Sequence, residues 1–262
     1  MPTHPEASVA ELYESIATAC QVMAEQGLVE NILGHISARV SDDEMLVRCR
    51  GPFESGLAYT TAEDIRLVPF DGPADIGEWR VPNELPIHTE TMRRRPEVTA
   101  VVHAHPPAVV TLSLLDVPLL PIYGAYDIPG ARLAAEGIPT WRRSALIRTT
   151  ELAGEMADAL GDRPVLVLRG HGLVSVAAGP PHTAIARAVL QAIAVDTLAR
   201  TTLAIVQAGG TPEPISDEDL AELPDLGGGF NIETMWRHLQ RRAADQVRMA
   251  PAPGPGRPRS IA

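Results

Sequence analysis

Apolar residues recur at helical spacing in several parts of the chain, most clearly near the N-terminus. Residues 8–26 place an apolar side chain at every third or fourth position, beginning with Val9 and Leu12. Gly27 follows as a C-terminal stop. By the same pattern, further helices are predicted over residues 85–95, 108–115, 150–160, 183–207 and 230–247. The segment 211–229 lacks such a pattern and is predicted to be a loop.

Short runs dominated by apolar residues predict strands between these helices. Residues 31–40 and 44–48 predict a hairpin whose turn is formed by residues 41–43. Three more strands are predicted over residues 65–68, 98–102 and 164–169, with a short strand segment over 118–122. Strands that cluster early and then alternate with helices favour an α/β fold. We expect a three-layer α/β/α sandwich with a largely antiparallel central sheet.

Length and composition predict one globular domain. At 262 residues and 45% hydrophobic content, the chain can bury a full core. We expect a single domain over residues 1–249, in which the last helix extends the fold. Residues 250–262 are rich in proline, glycine and arginine, and this composition predicts a disordered tail.

Charge and hydropathy exclude two classes of partner. The net charge of −11 and the absence of a basic cluster argue against nucleic-acid binding. No apolar stretch approaches eighteen residues, and the first residues lack the features of a leader peptide, which argues against a membrane. Cys20 and Cys49 are too few for a disulfide framework. We therefore expect a soluble cytoplasmic protein with reduced thiols.

The chain contains no lysine, and its 22 basic residues are all arginine. A genome rich in arginine codons is enough to explain this bias. The chemical consequence holds in any case, because Schiff-base chemistry on a carbonyl substrate requires a lysine amine. A lyase with this sequence must therefore stabilise its carbanion in another way, and a metal ion is the natural choice.

Three histidines follow two apolar runs. His103 and His105 lie at the end of the run 98–102, and residues i and i+2 of a strand face the same side. His171, between two glycines, follows the run 164–169. Together with Glu84, these imidazoles can hold a divalent cation. A lone His-x-His pair is often found on strands without metal, but the neighbouring prolines and glycines favour exposed loop mouths over core positions.

The combination of these motifs resembles the class II aldolase/adducin family. The likeness runs from about residue 8 to about residue 206, and the motifs are much more specific together than singly. They are Gly34-His35-Ile36-Ser37-Ala38-Arg39, Glu84, His103-Ala104-His105-Pro106 and Gly170-His171-Gly172.

The resemblance implies a set of functional expectations. His103, His105 and His171 would bind one divalent metal ion per chain (Zn, Mn, Co or Fe), with Glu84 as a further ligand or as the catalytic acid/base. The family also implies a three-layer α/β/α fold and a homotetramer with active sites at subunit contacts. Tyr123, or Tyr126, corresponds to a catalytic tyrosine contributed by the neighbouring subunit. His88, one helical turn after Glu84, is a candidate partner of the site.

The chain departs from the sugar-phosphate members of the family where they bind phosphate. His35 replaces their asparagine, Asn83 lies where they have a serine pair, and a strand ending in Arg48 and Arg50 before Gly51 replaces their hydroxyl-bearing loop. Each arginine taken alone is equally consistent with a solvated surface charge and with a substrate-binding residue. Arginine binds carboxylates bidentately, however, and we expect these five residues to bind a small-molecule carboxylate substrate.

The chain thereby resembles the decarboxylase branch of the family. We expect a metal-dependent, non-oxidative decarboxylase of a hydroxylated aromatic acid, with 3,4-dihydroxyphthalate as substrate and protocatechuate as product. One alternative is a class II aldolase that acts on a non-phosphorylated hydroxy-keto acid. Another is a non-catalytic, adducin-like structural protein, against which the retention of all four metal-ligating residues argues.

Overall fold

The computed structural model of the chain describes residues 9–30, 32–226 and 229–249. The predicted tail, residues 250–262, lies outside the described residues. The helices are α1 (Val9–Glu25), α2 (Leu85–Arg94), α3 (Pro107–Leu115), α4 (Ile128–Ala135), α5 (Thr150–Leu160), α6 (Pro181–Gln207), α7 (Asp217–Glu222) and α8 (Met235–Met249). Two short 3₁₀ turns occupy Leu57–Tyr59 and Ala62–Asp64, and a π-helical turn, Gly229–Thr234, precedes α8.

Seven strands form one sheet at the centre of the fold. They are β1 (His35–Arg39), β2 (Glu44–Arg48), β3 (Ile65–Pro69), β4 (Val98–Ala104), β5 (Thr140–Trp141), β6 (Val165–Leu168) and β7 (Gly172–Ala178). Their order across the sheet is β3-β2-β1-β4-β7-β6-β5. All neighbouring pairs are antiparallel except β5 and β6, which run parallel. The sheet is therefore mixed, and the expected antiparallel arrangement fails at this edge.

Helices cover both faces of the sheet and produce three layers. Helices α1, α3, α6 and α8 bury their apolar residues on one face, in a core that includes Ile36, Leu46 and Val102. Helices α2 and α5 pack on the other face, around Val47 and Val101. Because side chains alternate along a strand, neighbouring residues such as Val101 and Val102 contribute to different cores. The predicted α/β/α sandwich is confirmed.

Helix α6 is long and apolar enough to cross a membrane by length and composition alone. Its buried residues pack against β4 and β7 in the core that also contains α1. Alanine at many of its core positions brings the helix close to the sheet. We therefore interpret its hydropathy as that of a core helix.

Several elements differ from the sequence prediction. Residues 118–122 form no strand, and the helix α4 that follows them was not predicted. Asp127 caps α4 by accepting a hydrogen bond from Gly130 N, and Pro129 fits the first turn because it lacks an amide proton. Strand β5 has two residues, too few for a periodic signal, and α7 lies within the predicted loop. Strand β7 was also not predicted, and it begins directly at Gly172, within the Gly-His-Gly turn.

Candidate metal centre and active site

Four side chains that could hold a metal ion converge at one end of the central strands. Glu84 immediately precedes α2, His103 lies near the end of β4, His105 follows that strand, and His171 lies in the turn between β6 and β7. One ligand atom from each lies within 4.8 Å of the other three. The structure thus brings together, from three separate segments, the residues that the motifs singled out as a metal site.

Backbone contacts orient these side chains. The Nδ1–H of His103 donates to the carbonyl oxygen of Leu173 at 3.0 Å, which leaves the Nε2 lone pair free for a cation. Glu84 Oε1 accepts a hydrogen bond from Ile147 N at 2.9 Å, so that its other oxygen faces the histidines. The Nδ1 atom of His171 is buried and has no hydrogen-bond partner within the described part of the chain. Two of the four ligands are therefore held in place by the backbone.

Close backbone packing makes two glycines necessary. A Cβ atom at Gly172 would lie 2.2 Å from the carbonyl oxygen of Ala104 and 2.9 Å from the ring of His105. Gly34, just before β1, has a φ of 87°, and a Cβ atom there would lie 2.4 Å from Val29 Cγ1. The glycines in both motifs therefore allow the histidine-bearing segments to approach each other.

The donor set fits a divalent transition metal. A tetrahedral site with ligand bonds of about 2.05 Å has ligand–ligand edges of about 3.3 Å. Glu84 Oε2 lies 3.3 Å from His103 Nε2 and 3.4 Å from His171 Nε2. His103 Nε2 and His105 Nε2 are 2.7 Å apart, closer than such an edge. Three imidazole nitrogens and a carboxylate oxygen suit zinc, manganese, cobalt or iron without selecting one.

Electrostatics favour the ligating protonation states of Glu84 and His105. Burial opposes ionisation of Glu84, but the adjacent imidazoles of His103 and His171 outweigh it and hold the pKa of Glu84 below its ordinary value. Burial, reinforced by the neighbouring His103 and His171, lowers the pKa of His105 to about 3. An ionised carboxylate and a neutral imidazole are both competent ligands at neutral pH.

Three further polar side chains lie buried beside this centre. His35 Nδ1 is 2.7 Å from His88 Nε2, and His88 Nδ1 is 2.6 Å from Ser37 Oγ. The His35 ring lies against that of His103, with centroids 5.0 Å apart. Burial, followed by the proximity of other histidines, lowers the pKa of both His35 and His88, that of His88 to about 3. His35 therefore belongs to a neutral histidine pair in contact with the centre.

The role of Ser37 was missed from the sequence. Ser37 lies two residues after His35 in β1, and an alternating pair on a strand faces one side of the sheet. That spacing was a usable signal. The spacing did not identify His88 as the common partner of His35 and Ser37, because the position of His88 next to both residues depends on how α2 packs.

The two arginines expected at the substrate site have different partners in the structure. Leu46 and Arg48 project from the α1 face of β2, opposite the face that carries His35 and Ser37. Arg48 is buried and forms an ion pair with Glu54. The expectation that Arg48 binds substrate carboxylate is therefore corrected, since a carboxylate of the chain itself already occupies its guanidinium.

Arg50, two residues after Arg48, has a different partner. It lies beyond the end of β2 and pairs with Arg80 in an antiparallel bridge, with backbone N–O distances of 2.8 and 2.9 Å. Within the described residues, neither arginine forms an ion pair with a carboxylate. Directly opposed like charges are destabilising on a sheet, so a pair of unneutralised arginines favours an anion-binding role. Arg80 was missed because the pairing of residue 50 with residue 80 is a tertiary contact.

The remaining predicted site residues are Gly51, Asn83 and Tyr123. Gly51 packs against Trp79, since a Cβ atom there would lie 2.9 Å from the indole nitrogen, and Asn83 is exposed next to Glu84. Tyr123 lies in the loop before α4, close to Tyr126. Its hydroxyl is buried without a hydrogen-bond partner in the described residues. Tyr123 is thus not joined to the centre of its own chain, and its contribution to a neighbouring subunit's site stays a prediction.

Comparison with known proteins agrees with these features. A family model described as the class II aldolase and adducin N-terminal domain matches residues 14–203. The chain is 56% identical over 230 residues to a 3,4-dihydroxyphthalate decarboxylase of Arthrobacter keyseri, across 86% of this chain and 91% of that relative. It is 52% identical over 234 residues to the enzyme of the same name from Rhodococcus jostii (strain RHA1), across 87% of this chain and 94% of the relative.

A solved structure shows the same fold. An aldolase II superfamily protein from Pseudomonas syringae superposes with a TM-score of 0.76 at 21% identity, covering 93% of this chain and 95% of that one. The mixed sheet, the convergent histidines and these matches lead to one conclusion. The chain belongs to the class II aldolase and adducin family.

Proposed function

We propose that the chain is a metal-dependent 3,4-dihydroxyphthalate decarboxylase, a carboxy-lyase that releases carbon dioxide and protocatechuate. The observation that carries this proposal is the identity of 56% and 52% to two relatives of that name, over nearly their full length. The site supports it in two ways. The chain has a complete set of metal ligands, and it has imidazole and guanidinium groups where phosphate-binding hydroxyls would be expected.

The reaction replaces the carboxylate next to a ring hydroxyl with a proton. A proton adds to the ring carbon, the bond between that carbon and the carboxylate breaks, and the electron pair restores the aromatic ring. Carbon dioxide leaves and one proton is consumed. The negative charge that develops on the neighbouring phenolic oxygen must be stabilised throughout.

Glu84, His103, His105 and His171 are the residues that would hold the metal. A divalent cation bound there would supply positive charge to adjacent substrate oxygens. Glu84 Oε2 lies 3.3 Å from His103 Nε2 and 3.4 Å from His171 Nε2, among the other three candidate ligand atoms. The geometry therefore favours Glu84 as a ligand, and Tyr123 of a neighbouring subunit is the proposed proton donor.

Substrate binding is assigned to the groups around the metal ligands. Arg50, with Arg80 opposite, would pair with the carboxylate that remains on the product. His35 would contact a substrate oxygen next to the metal, and Gly51 and Asn83 would line the same end of the sheet. A neutral imidazole is suited to the departing carboxylate, because a full ion pair would stabilise the starting anion more than neutral carbon dioxide.

The assembly and compartment are proposed with the activity. The chain would act as a soluble cytoplasmic homotetramer with one metal ion per subunit and active sites at subunit contacts. Residues 1–249 would form the single domain, including the C-terminal helices, and 250–262 its tail. The apolar groove between α4, α6 and α8, about 820 Å³ in volume, lies beside the loop that carries Tyr126.

The direct test is turnover of 3,4-dihydroxyphthalate by protein reloaded separately with zinc, manganese, cobalt or iron. We expect stoichiometric carbon dioxide and protocatechuate, followed by gas detection and chromatography. Glu84→Gln should lower metal content and turnover together if Glu84 is a ligand. The proposal fails if no ortho-hydroxy aromatic acid is turned over by any metal form.

Two other results would assign the chain elsewhere. Release of pyruvate or an aldehyde from a hydroxy-keto acid, seen in a coupled dehydrogenase assay, would indicate an aldolase. That outcome has some support, since an L-fuculose phosphate aldolase of Escherichia coli is 29% identical over 222 residues. Protein that contains no metal and binds none of the four ions would indicate a structural, adducin-like role.

A further inference from the structure

Ser37, His88 and His35 form a linear chain of hydrogen bonds that ends beside the metal ligands. Ser37 and His88 are fully buried, and His35 is 5% exposed. The two links measure 2.6 Å, from Ser37 Oγ to His88 Nδ1, and 2.7 Å, from His88 Nε2 to His35 Nδ1. Burial of three polar side chains is costly unless their hydrogen-bonding groups are satisfied, so the order of donors and acceptors matters.

The chain of bonds has a preferred direction. A serine hydroxyl has one proton, and within the described residues His88 Nδ1 is the only hydrogen-bond partner of Ser37 Oγ. If Ser37 only accepted, its buried proton would remain unsatisfied, at a cost of about 1–3 kcal/mol. Ser37 therefore donates to His88 Nδ1. His88 must then carry its proton on Nε2 and donate it to His35 Nδ1.

This direction fixes the state of His35. With Nδ1 accepting from His88, the neutral ring carries its own proton on Nε2, at the opposite side of the imidazole. His35 pairs directly with His103 in the sheet register, and their rings lie 5.0 Å apart. Directly paired residues on neighbouring strands face the same side of the sheet. The Nε2–H group is thus presented next to the metal ligands.

We infer that Ser37 and His88 are positioning residues that hold neutral His35 with its proton on Nε2, so that His35 donates a hydrogen bond to an acceptor oxygen of the substrate. This assignment rests on the proposed function for the identity of that oxygen, which belongs to an ortho-hydroxy carboxylate. The reverse tautomer would present a lone pair to the same oxygen and repel it. The donor-to-acceptor order that begins at the Ser37 hydroxyl thus determines, through His88 and His35, which group faces the substrate.

The test compares two substitutions of His88 in zinc-loaded protein. His88→Leu removes the donor to His35, whereas His88→Gln keeps an amide N–H near the position of Nε2. Nitrogen-15 NMR of the His35 ring should show the proton on Nε2 in the unsubstituted protein and in His88→Gln. It should show a shift toward Nδ1 in His88→Leu, whose kcat/KM should fall by roughly 10–100-fold with its zinc retained. His88→Gln should remain within a few-fold of the parent.

A matched control lies on the same helix. Thr91 is buried in α2, and its hydroxyl has no hydrogen-bond partner in the described residues. Thr91→Val should change neither the His35 tautomer nor turnover. Equal losses of activity in His88→Leu and His88→Gln, together with loss of zinc, would show a merely structural role and overturn the inference.

The NMR result separates this inference from the proposed function. The tautomer of His35 is measured without substrate, so it stands even if dihydroxyphthalate is not turned over. A proton on Nδ1 of His35 in the unsubstituted protein overturns the inference directly. So does an unchanged tautomer in His88→Leu. Ser37→Ala provides a second check, since loss of its proton should give a mixture of both tautomers while zinc stays bound.

Discussion

The histidine cluster and the arginine-bearing end of β2 were both expected at the active site. In the fold the histidines lie together as expected, whereas the two arginines contact different partners. Glu84, His103, His105 and His171 converge within 4.8 Å of one another. Of the two arginines, Arg48 is buried against Glu54 on the opposite face, whereas Arg50 meets Arg80. The position of a short imidazole side chain at a strand end is fixed by the backbone of that strand. The contacts of a long arginine side chain depend instead on which residues the tertiary structure brings near it.

The largest expected effect comes from removing a histidine of the cluster. His103→Ala should abolish metal binding and lower activity by more than about 100-fold. Substitution of a residue that only supports a metal ligand already lowers metal affinity or activity by about 10–100-fold, and loss of a ligand should cost more. Elemental analysis of protein purified without chelator should give about one metal per parent chain and far less for the variant. His182→Ala is the matched control, because His182 contacts Ser15 rather than the cluster. A His103→Ala protein with full metal content would contradict the ligand assignment.

Tyr123 tests whether a group outside the cluster of its own chain takes part in the reaction. Tyr123→Phe should lower kcat by about 100-fold with metal retained, as expected for loss of a proton donor. Its stability should change little, because the hydroxyl makes no hydrogen bond in the described residues. Tyr126→Phe, at a side chain that is 78% exposed, serves as the comparison. If only the Tyr126 variant loses activity, the donor is Tyr126.

The arginines should separate substrate binding from stability. Arg50→Ala or Arg80→Ala should raise KM by about 10–100-fold, as for loss of a charge-assisted hydrogen bond, with little change in unfolding. Arg48→Ala should leave KM unchanged and lower the free energy of unfolding by about 3 kcal/mol, because it removes the ion-pair partner of Glu54. Steady-state kinetics and urea denaturation measure the two. A raised KM in Arg48→Ala alone would reverse the assignment.

A further prediction concerns stability in acid. Burial lowers the pKa of His88 to about 3 in the folded protein, from its ordinary value of 6.5. Between these values the unfolded chain binds a proton that the folded chain does not. The free energy of unfolding therefore falls as pH drops below about 6.5, by up to about 1.4 kcal/mol per pH unit for this group.

Urea denaturation of metal-free protein between about pH 5 and 7 measures that slope. His88→Gln cannot titrate in this range and should show a shallower dependence than the parent. Thr91→Val should keep the parent slope. Identical slopes in the His88→Gln variant and the parent would show that His88 is already protonated in the folded protein.

Periodicity predicted the long elements and failed where tertiary contacts define them. The helices around α1, α5 and α6 were located because each buries a continuous apolar stripe, and Thr149 and Gly161 mark the ends of α5. Strand β5 consists of Thr140–Trp141 and depends on pairing with β6. Its parallel direction, which makes the sheet mixed, follows from the path of the chain through α4 and α5. No local pattern encodes that path.

The sequence by itself determined which residues can carry the chemistry. Alternation at the end of β4 places His103 and His105 on one side, the absence of lysine excludes a Schiff base, and the spacing of the motifs indicates the family. Only the tertiary structure decided that His88 joins Ser37 to His35, that Arg48 belongs to Glu54, and that Arg80 faces Arg50. The physical reason is that backbone periodicity fixes the direction of a side chain, whereas its partner depends on the packing of segments distant in sequence.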